Sequence, residues 1–221
     1  MERRTLLAAG GGALVALGAG WTLTRPDAQT GLLPGAAFAQ STDGASAEVI
    51  EMVQGDPDAA VEVIEYASYT CPHCASFHAN QYPLLKANYI ETGRIRFVYR
   101  EVYFDRPGLW ASMIARTNNN PEFFFNFSSL LYEQQRNWLA SGDPVTIVQD
   151  LRTLAKTAGL TDADLDATLT NAAKAEALFT WYQENAERDS ITGTPSFMID
   201  GTKYSNMAYD EFAGILDGKL G

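Results

Sequence analysis

Glu65-Tyr66-Ala67-Ser68-Tyr69-Thr70-Cys71-Pro72-His73-Cys74 carries the chain out of an apolar stretch and into two cysteines with two residues between them. Just before it, Val61-Glu62-Val63-Ile64 has the length and β-branched content of a strand. After it, the pattern predicts a helix from Cys74 to about Tyr89, kinked at Pro83 and ended near Gly93. Phe77, Leu84, Leu85 and Ile90 supply its apolar face. Ile95-Arg96-Phe97-Val98-Tyr99 is then a second strand. Strand, helix, strand is a βαβ unit, which predicts a parallel pair.

A Cys-x-x-Cys that follows a strand and opens a helix has the placement of a redox motif. The spacing lets both sulfurs meet across the first helical turn. Unpaired N–H groups and the partial positive charge of the helix start favour a thiolate at Cys71. Pro72 suits an early helical position, where a missing N–H costs nothing. His73 can add a second stabiliser beside the sulfur. A thiolate stabilised in this way is a good leaving group, so its disulfide is oxidising. Two other readings stay open. A static disulfide would gain little from closing so short a loop. A metal site would need His73 or His78 to join the two cysteines within eight residues.

Val49-Ile50-Glu51-Met52-Val53 is a further strand, closed by Gly55-Asp56-Pro57-Asp58. From Leu109 to Arg188 the pattern is helical. Pro121 opens one helix through Phe123, Phe124, Phe127, Leu130, Leu131 and Trp138. Asp143-Pro144 opens another, Thr161-Asp162-Ala163-Asp164 caps a third, and Asn171 starts a fourth with Leu178, Phe179 and Tyr182 on one face. The aromatic stripes at helical spacing predict core. Ser196–Ile199 and Thr202–Tyr204 flank Asp200-Gly201, a two-residue hairpin signal, and a last helix spans about Tyr209 to Asp217.

These features together resemble the DsbA family of thioredoxin-fold disulfide oxidoreductases. The resemblance rests on Glu65–Cys74 with its Cys-Pro-His-Cys centre, on Gly193-Thr194-Pro195-Ser196-Phe197 before the hairpin, and on the helices between those motifs. It spans about Ala47 to Leu220. It implies an α/β thioredoxin fold, a central mixed sheet flanked by helices, with an inserted helical domain. Residues 47–106 would form the first half of the core, 107–190 the insertion and 191–221 the second half. It implies that Cys71 is the exposed nucleophile, Cys74 its buried partner and Glu65 the buried acid near them. It implies a cis Pro195 shaping a substrate groove, with Thr194 offering backbone hydrogen bonds to an extended peptide. No prosthetic group is implied beyond the Cys71–Cys74 couple. The implied partners are unfolded exported proteins and a quinone-linked membrane reoxidant of the DsbB type, acting on a monomer. Thr194, where the oxidant branch often has valine, also occurs in isomerase and reductase relatives, so those directions stay open. An isomerase usually has a dimerisation domain before the core, for which Gln40–Glu48 is too short. His78 stands where some relatives have an acid. A metal-binding chaperone is the remaining alternative.

Met1-Glu2-Arg3-Arg4 precedes eighteen uncharged residues, Leu6–Leu23, and Ala37-Phe38-Ala39 is an A-x-A cleavage pattern. Residues 1–40 therefore read as an export signal and leader. Arg3-Arg4-Thr5-Leu6-Leu7 resembles a twin-arginine signal; a general secretory signal and an uncleaved anchor facing the periplasm are the alternatives. The 221 residues carry 27 acids and 16 bases, a formal charge of −11. Without the leader the balance is 25 acids to 13 bases. Such a surface excludes nucleic acid as the main partner. The chain's two cysteines exclude a disulfide-dense scaffold. They would sit in an oxidising compartment, the periplasm.

Overall fold

The structure is a computed structural model, and it describes residues 48–221. The leader assigned to residues 1–40 lies outside the described residues. Strands β1 (Met52–Gly55) and β2 (Val61–Ala67) come first, followed by helices α1 (Pro72–Asn80) and α2 (Tyr82–Leu85). A π-helical turn, Lys86–Ile90, leads to β3 (Ile95–Glu101). Six helices follow: α3 (Arg106–Ala115), α4 (Pro121–Glu133), α5 (Gln135–Trp138), α6 (Pro144–Thr157), α7 (Asp162–Leu169) and α8 (Ala172–Arg188). The hairpin β4 (Ser196–Ile199) and β5 (Thr202–Ser205) and helix α9 (Tyr209–Leu220) complete the chain.

The sheet order is β1-β3-β2-β4-β5. β2 and β3 run parallel, as a βαβ unit requires, and the other pairs are antiparallel. This is the mixed sheet of a thioredoxin fold, with helices α3 to α8 inserted between β3 and β4. At Gly55, φ is +89°, and a Cβ would stand 2.2 Å from the Ile95 carbonyl oxygen, so only glycine lets β1 approach β3 there. Asp200 and Gly201 both have positive φ, +45° and +76°, the geometry of a tight hairpin turn.

Local signals set the helix starts. Asp143, Thr161 and Asn171 each accept a backbone N–H from the first turn, and Thr161 with Asp164 forms a reciprocal capping box. The helix after the cysteines departs from its sequence pattern. It breaks at Gln81, restarts with Pro83 in the first turn of α2, and widens into the π turn. That change of phase turns Tyr82 and Leu85 inward and leaves Leu84 45% exposed, against expectation. Phe179 is likewise exposed, while its neighbour Leu178 is buried.

Phe77 from α1, Phe197 from β4 and Phe212 from α9 meet in the core, with centroids 4.9 Å apart along the row. Each of these rings is at most 1% exposed. Their contact fixes α1, and therefore Cys71, against the sheet. Among the described residues no helix is long and apolar enough to cross a membrane.

Candidate active site

Cys71 is the N-cap of α1 and Pro72 stands in its first turn. The two sulfurs experience opposite environments. Cys71 is part-exposed, whereas Cys74 is fully buried, and both are free thiols. The Cys71 thiol is lowered to about 5, chiefly because the Cys74 thiol hydrogen-bonds to its sulfur. Partial burial opposes that effect, while Thr194 and the backbone N–H groups of Cys74 and His73 reinforce it. Burial pushes Cys74 far above the ordinary thiol range, aided by its bond to Cys71 and by the nearby charge of Glu65.

The structure brings the two sequence motifs together. The Thr194–Pro195 peptide bond is cis. β4 pairs with β2 so that Ser196 stands opposite Tyr66, which sets the Pro195 loop beside the cysteine turn. The Cys71 sulfur lies 3.4 Å from the Thr194 carbonyl oxygen, to which the thiol donates. The Thr194 hydroxyl is buried beside the cysteines and favours the anionic form of both sulfurs.

Pro72 and His73 are exposed. It is the backbone N–H of His73, at the helix start, that bonds the Cys71 sulfur. Glu65 is completely buried.

Three partners of this site have no signal in the motifs themselves. His78 Nε2 lies 3.0 and 3.1 Å from the two oxygens of Glu65. Its position four residues after Cys74, on the same helix face, was the available clue. Gln135, from the insertion, donates to the carbonyl oxygens of Tyr69 and Cys71 at 2.8 and 2.9 Å. Asp105 accepts from the Thr70 hydroxyl at 2.8 Å while capping α3. The loop that presents Cys71 is thus held from both the sheet and the insertion.

An exposed low-pKa thiol beside a buried high-pKa thiol, both facing a cis-proline loop, defines a dithiol protein of thioredoxin type. A thioredoxin family model matches residues 48–218, and the chain belongs to the thioredoxin family. A Rickettsia bellii protein is 30% identical over 167 residues, covering 76% of this chain and 63% of its own length. A Rickettsia typhi protein is 31% identical over 170 residues, covering 77% of this chain and 62% of its own. Both are named as protein-disulfide oxidoreductases. This chain therefore spans about three-fifths of the length of the curated relatives it matches. The crystal structure of alpha-DsbA1 from Wolbachia pipientis superposes with a TM-score of 0.72 at 25% identity. That match covers 77% of this chain and 90% of the Wolbachia chain. The relatives place the chain among DsbA-like members of the family, with the inserted helices of that group.

Proposed function

We propose that this protein is a thiol:disulfide oxidoreductase that donates disulfides to exported proteins through the Cys71–Cys74 couple. The observation that carries this reading is the asymmetry of the two sulfurs. In the oxidised form a client thiolate reaches Cys71, because Cys74 is buried. A client–Cys71 bond forms, the Cys71–Cys74 bond breaks, and its electron pair leaves on Cys74, which takes up a proton. A second client thiolate then attacks the client sulfur, forming the client disulfide and releasing Cys71 as a thiolate. That release is favourable because the Cys71 thiolate is stable down to about pH 5. Thr194 and Pro195 line the approach, where an extended client segment takes backbone hydrogen bonds.

The couple needs no prosthetic group. Reoxidation falls to a quinone-linked membrane partner of the DsbB type, and the monomer works in the periplasm after export on residues 1–40. Export by the twin-arginine route stops in the R3K/R4K variant, whereas a general secretory signal tolerates that change.

Trapping tests the exchange directly. Cys74→Ser should accumulate mixed disulfides with periplasmic clients on non-reducing gels, and Cys71→Ser should accumulate none. The reverse pattern would exchange the two roles, and adducts with neither variant would remove the function.

A further inference from the structure

Glu65 and His78 form a buried titratable pair, their side chains 0% and 4% exposed. Among the described residues His78 is the only side chain that hydrogen-bonds the Glu65 carboxylate. The imidazole stacks on Tyr132 at 4.2 Å, with Tyr82 at 4.7 Å and Tyr99 edge-on at 6.0 Å. Its Nδ1 is buried and has no protein partner. The same ring lines a cavity of about 390 Å³ between α1, α2 and α4. Ala75, Ala79 and Ser129 also line it, and Lys86 and Glu133 bring opposite charges to it. Glu65 from β2, Tyr82 from α2, Tyr99 from β3 and Tyr132 from α4 thus face the imidazole, Lys86 from the π turn and Glu133 from α4 line the cavity beside it, and Cys74 lies one turn back on its own helix. Burial keeps the three phenols neutral. The groups left to trade protons are therefore Cys74, Glu65 and His78, with Lys86 and Glu133 at the cavity.

Exchange at Cys71 leaves an electron pair on Cys74 with each turnover, and a thiol raised this far must be protonated at once. Solvent does not reach it directly, since Cys74 is 0% exposed. Glu65 is close enough to act on the Cys74 charge, and Glu65 is reached through His78. We propose that His78 is a positioning residue that carries the proton between cavity water and Glu65, and so sets the rate at which Cys74 leaves and returns. As Cys74 leaves, the Nε2 proton of His78 passes through the Glu65 carboxylate to the Cys74 sulfur, while Nδ1 takes one proton from water. The same transfer run backwards, when Cys74 gives up its proton on reoxidation, returns the ring to its first tautomer. One proton enters and no electrons move beyond those of the two sulfur–sulfur bonds. A permanent cation in place of His78 would hold the carboxylate but could not move this proton. The inference rests on the exchange reading above and adds the route of its proton.

The test follows oxidised full-length protein reacting with reduced glutathione, quenched in acid and read by mass spectrometry as the Cys71 adduct. Rates are expressed per glutathione thiolate between pH 4.5 and 8. The wild-type rate should rise as pH falls, because protonation of Cys74 assists its departure. His78→Gln keeps a donor toward Glu65 but cannot pass a proton, so it should flatten that profile and slow the acidic limb by about tenfold or more. In His78→Ala, added imidazole should enter the enlarged cavity and restore the rate. A glutamine variant with the wild-type rate and profile overturns the relay and leaves the exchange reading intact. A wild-type protein that forms no Cys71 adduct overturns both. If the alanine variant fails to fold, the glutamine profile alone decides.

Discussion

Neighbouring strands β2 and β3 each bury one glutamate, and the two are held in opposite ways. Glu101, 1% exposed, takes Arg116 Nε at 2.5 Å and Nη2 at 2.7 Å, and the Ser112 hydroxyl at 2.7 Å. Arg116 is itself 1% exposed, lies against the rings of Phe124 and Trp181, and donates to the Ile50 carbonyl. Burial works against the Arg116 charge, yet the attraction of Glu101 outweighs it and holds the guanidinium above its ordinary range. Glu65 has a single imidazole instead. A permanent, bidentate ion pair fastens α3 to the sheet and has no proton to lend. A carboxylate–imidazole pair, one helical turn from Cys74, is the arrangement on which the proposed relay rests. Burial alone therefore does not distinguish the acid proposed to act in exchange from the one that fastens a helix; the partner does.

The largest effect should come from breaking the permanent pair. Glu101→Ala leaves Arg116 buried and unpaired, and should cost about 3–5 kcal/mol in denaturant unfolding. The exchange rate of the fraction that stays folded should be near wild type. Glu65→Gln should behave oppositely. The amide oxygen still accepts from His78, so stability should fall by less than about 1 kcal/mol while adduct formation with glutathione slows. Equal destabilisation by both substitutions would erase the distinction between the two acids.

Next in size is the difference between redox states. Above the unfolded thiol value of about 8.5, the depressed pKa of Cys71 contributes its full stabilisation to the reduced fold. That contribution shrinks as pH falls from there and is lost on passing through about 5. Closing so short a loop returns little to the oxidised form. The reduced protein should therefore be the more stable at pH 7, and the gap should narrow at pH 4. Unfolding of both forms at the two pH values checks this, and an oxidised form that is more stable at pH 7 would make the disulfide a staple.

The smallest effect should follow from His73→Ala. The backbone N–H at that position favours the Cys71 thiolate, and it survives the substitution. The pH midpoint of Cys71 alkylation should stay near about 5. A rise by more than about 1 unit would return the side chain to the role that its place in the motif suggests.

What could be read from the sequence was local. Asp143-Pro144, Thr161 with Asp164, Asn171 and Asp200-Gly201 each encode their turn or cap within four residues. The strand–helix–strand order likewise predicted the parallel pair and the placement of Cys71 at a helix start. What could not be read was set by distance in the chain or by packing. The break at Gln81 and the π turn answer to the neighbours of Tyr82 and Tyr89, and they reversed the expectation for Leu84. Gln135 reaches Cys71 from 64 residues away, with no pattern to announce it. His78 was visible as a departure from the family, but its link to Glu65 required β2 and α1 to be folded together.

The claim that Cys71–Cys74 is a disulfide donor is tested most directly by its equilibrium with glutathione at pH 7, read by alkylation and mass spectrometry. The low thiolate pKa of Cys71 predicts a reduction potential well above that of thioredoxin, about −270 mV, with the reduced form favoured in ordinary glutathione mixtures. A potential at or below the thioredoxin value would make the couple a reductant and contradict the account.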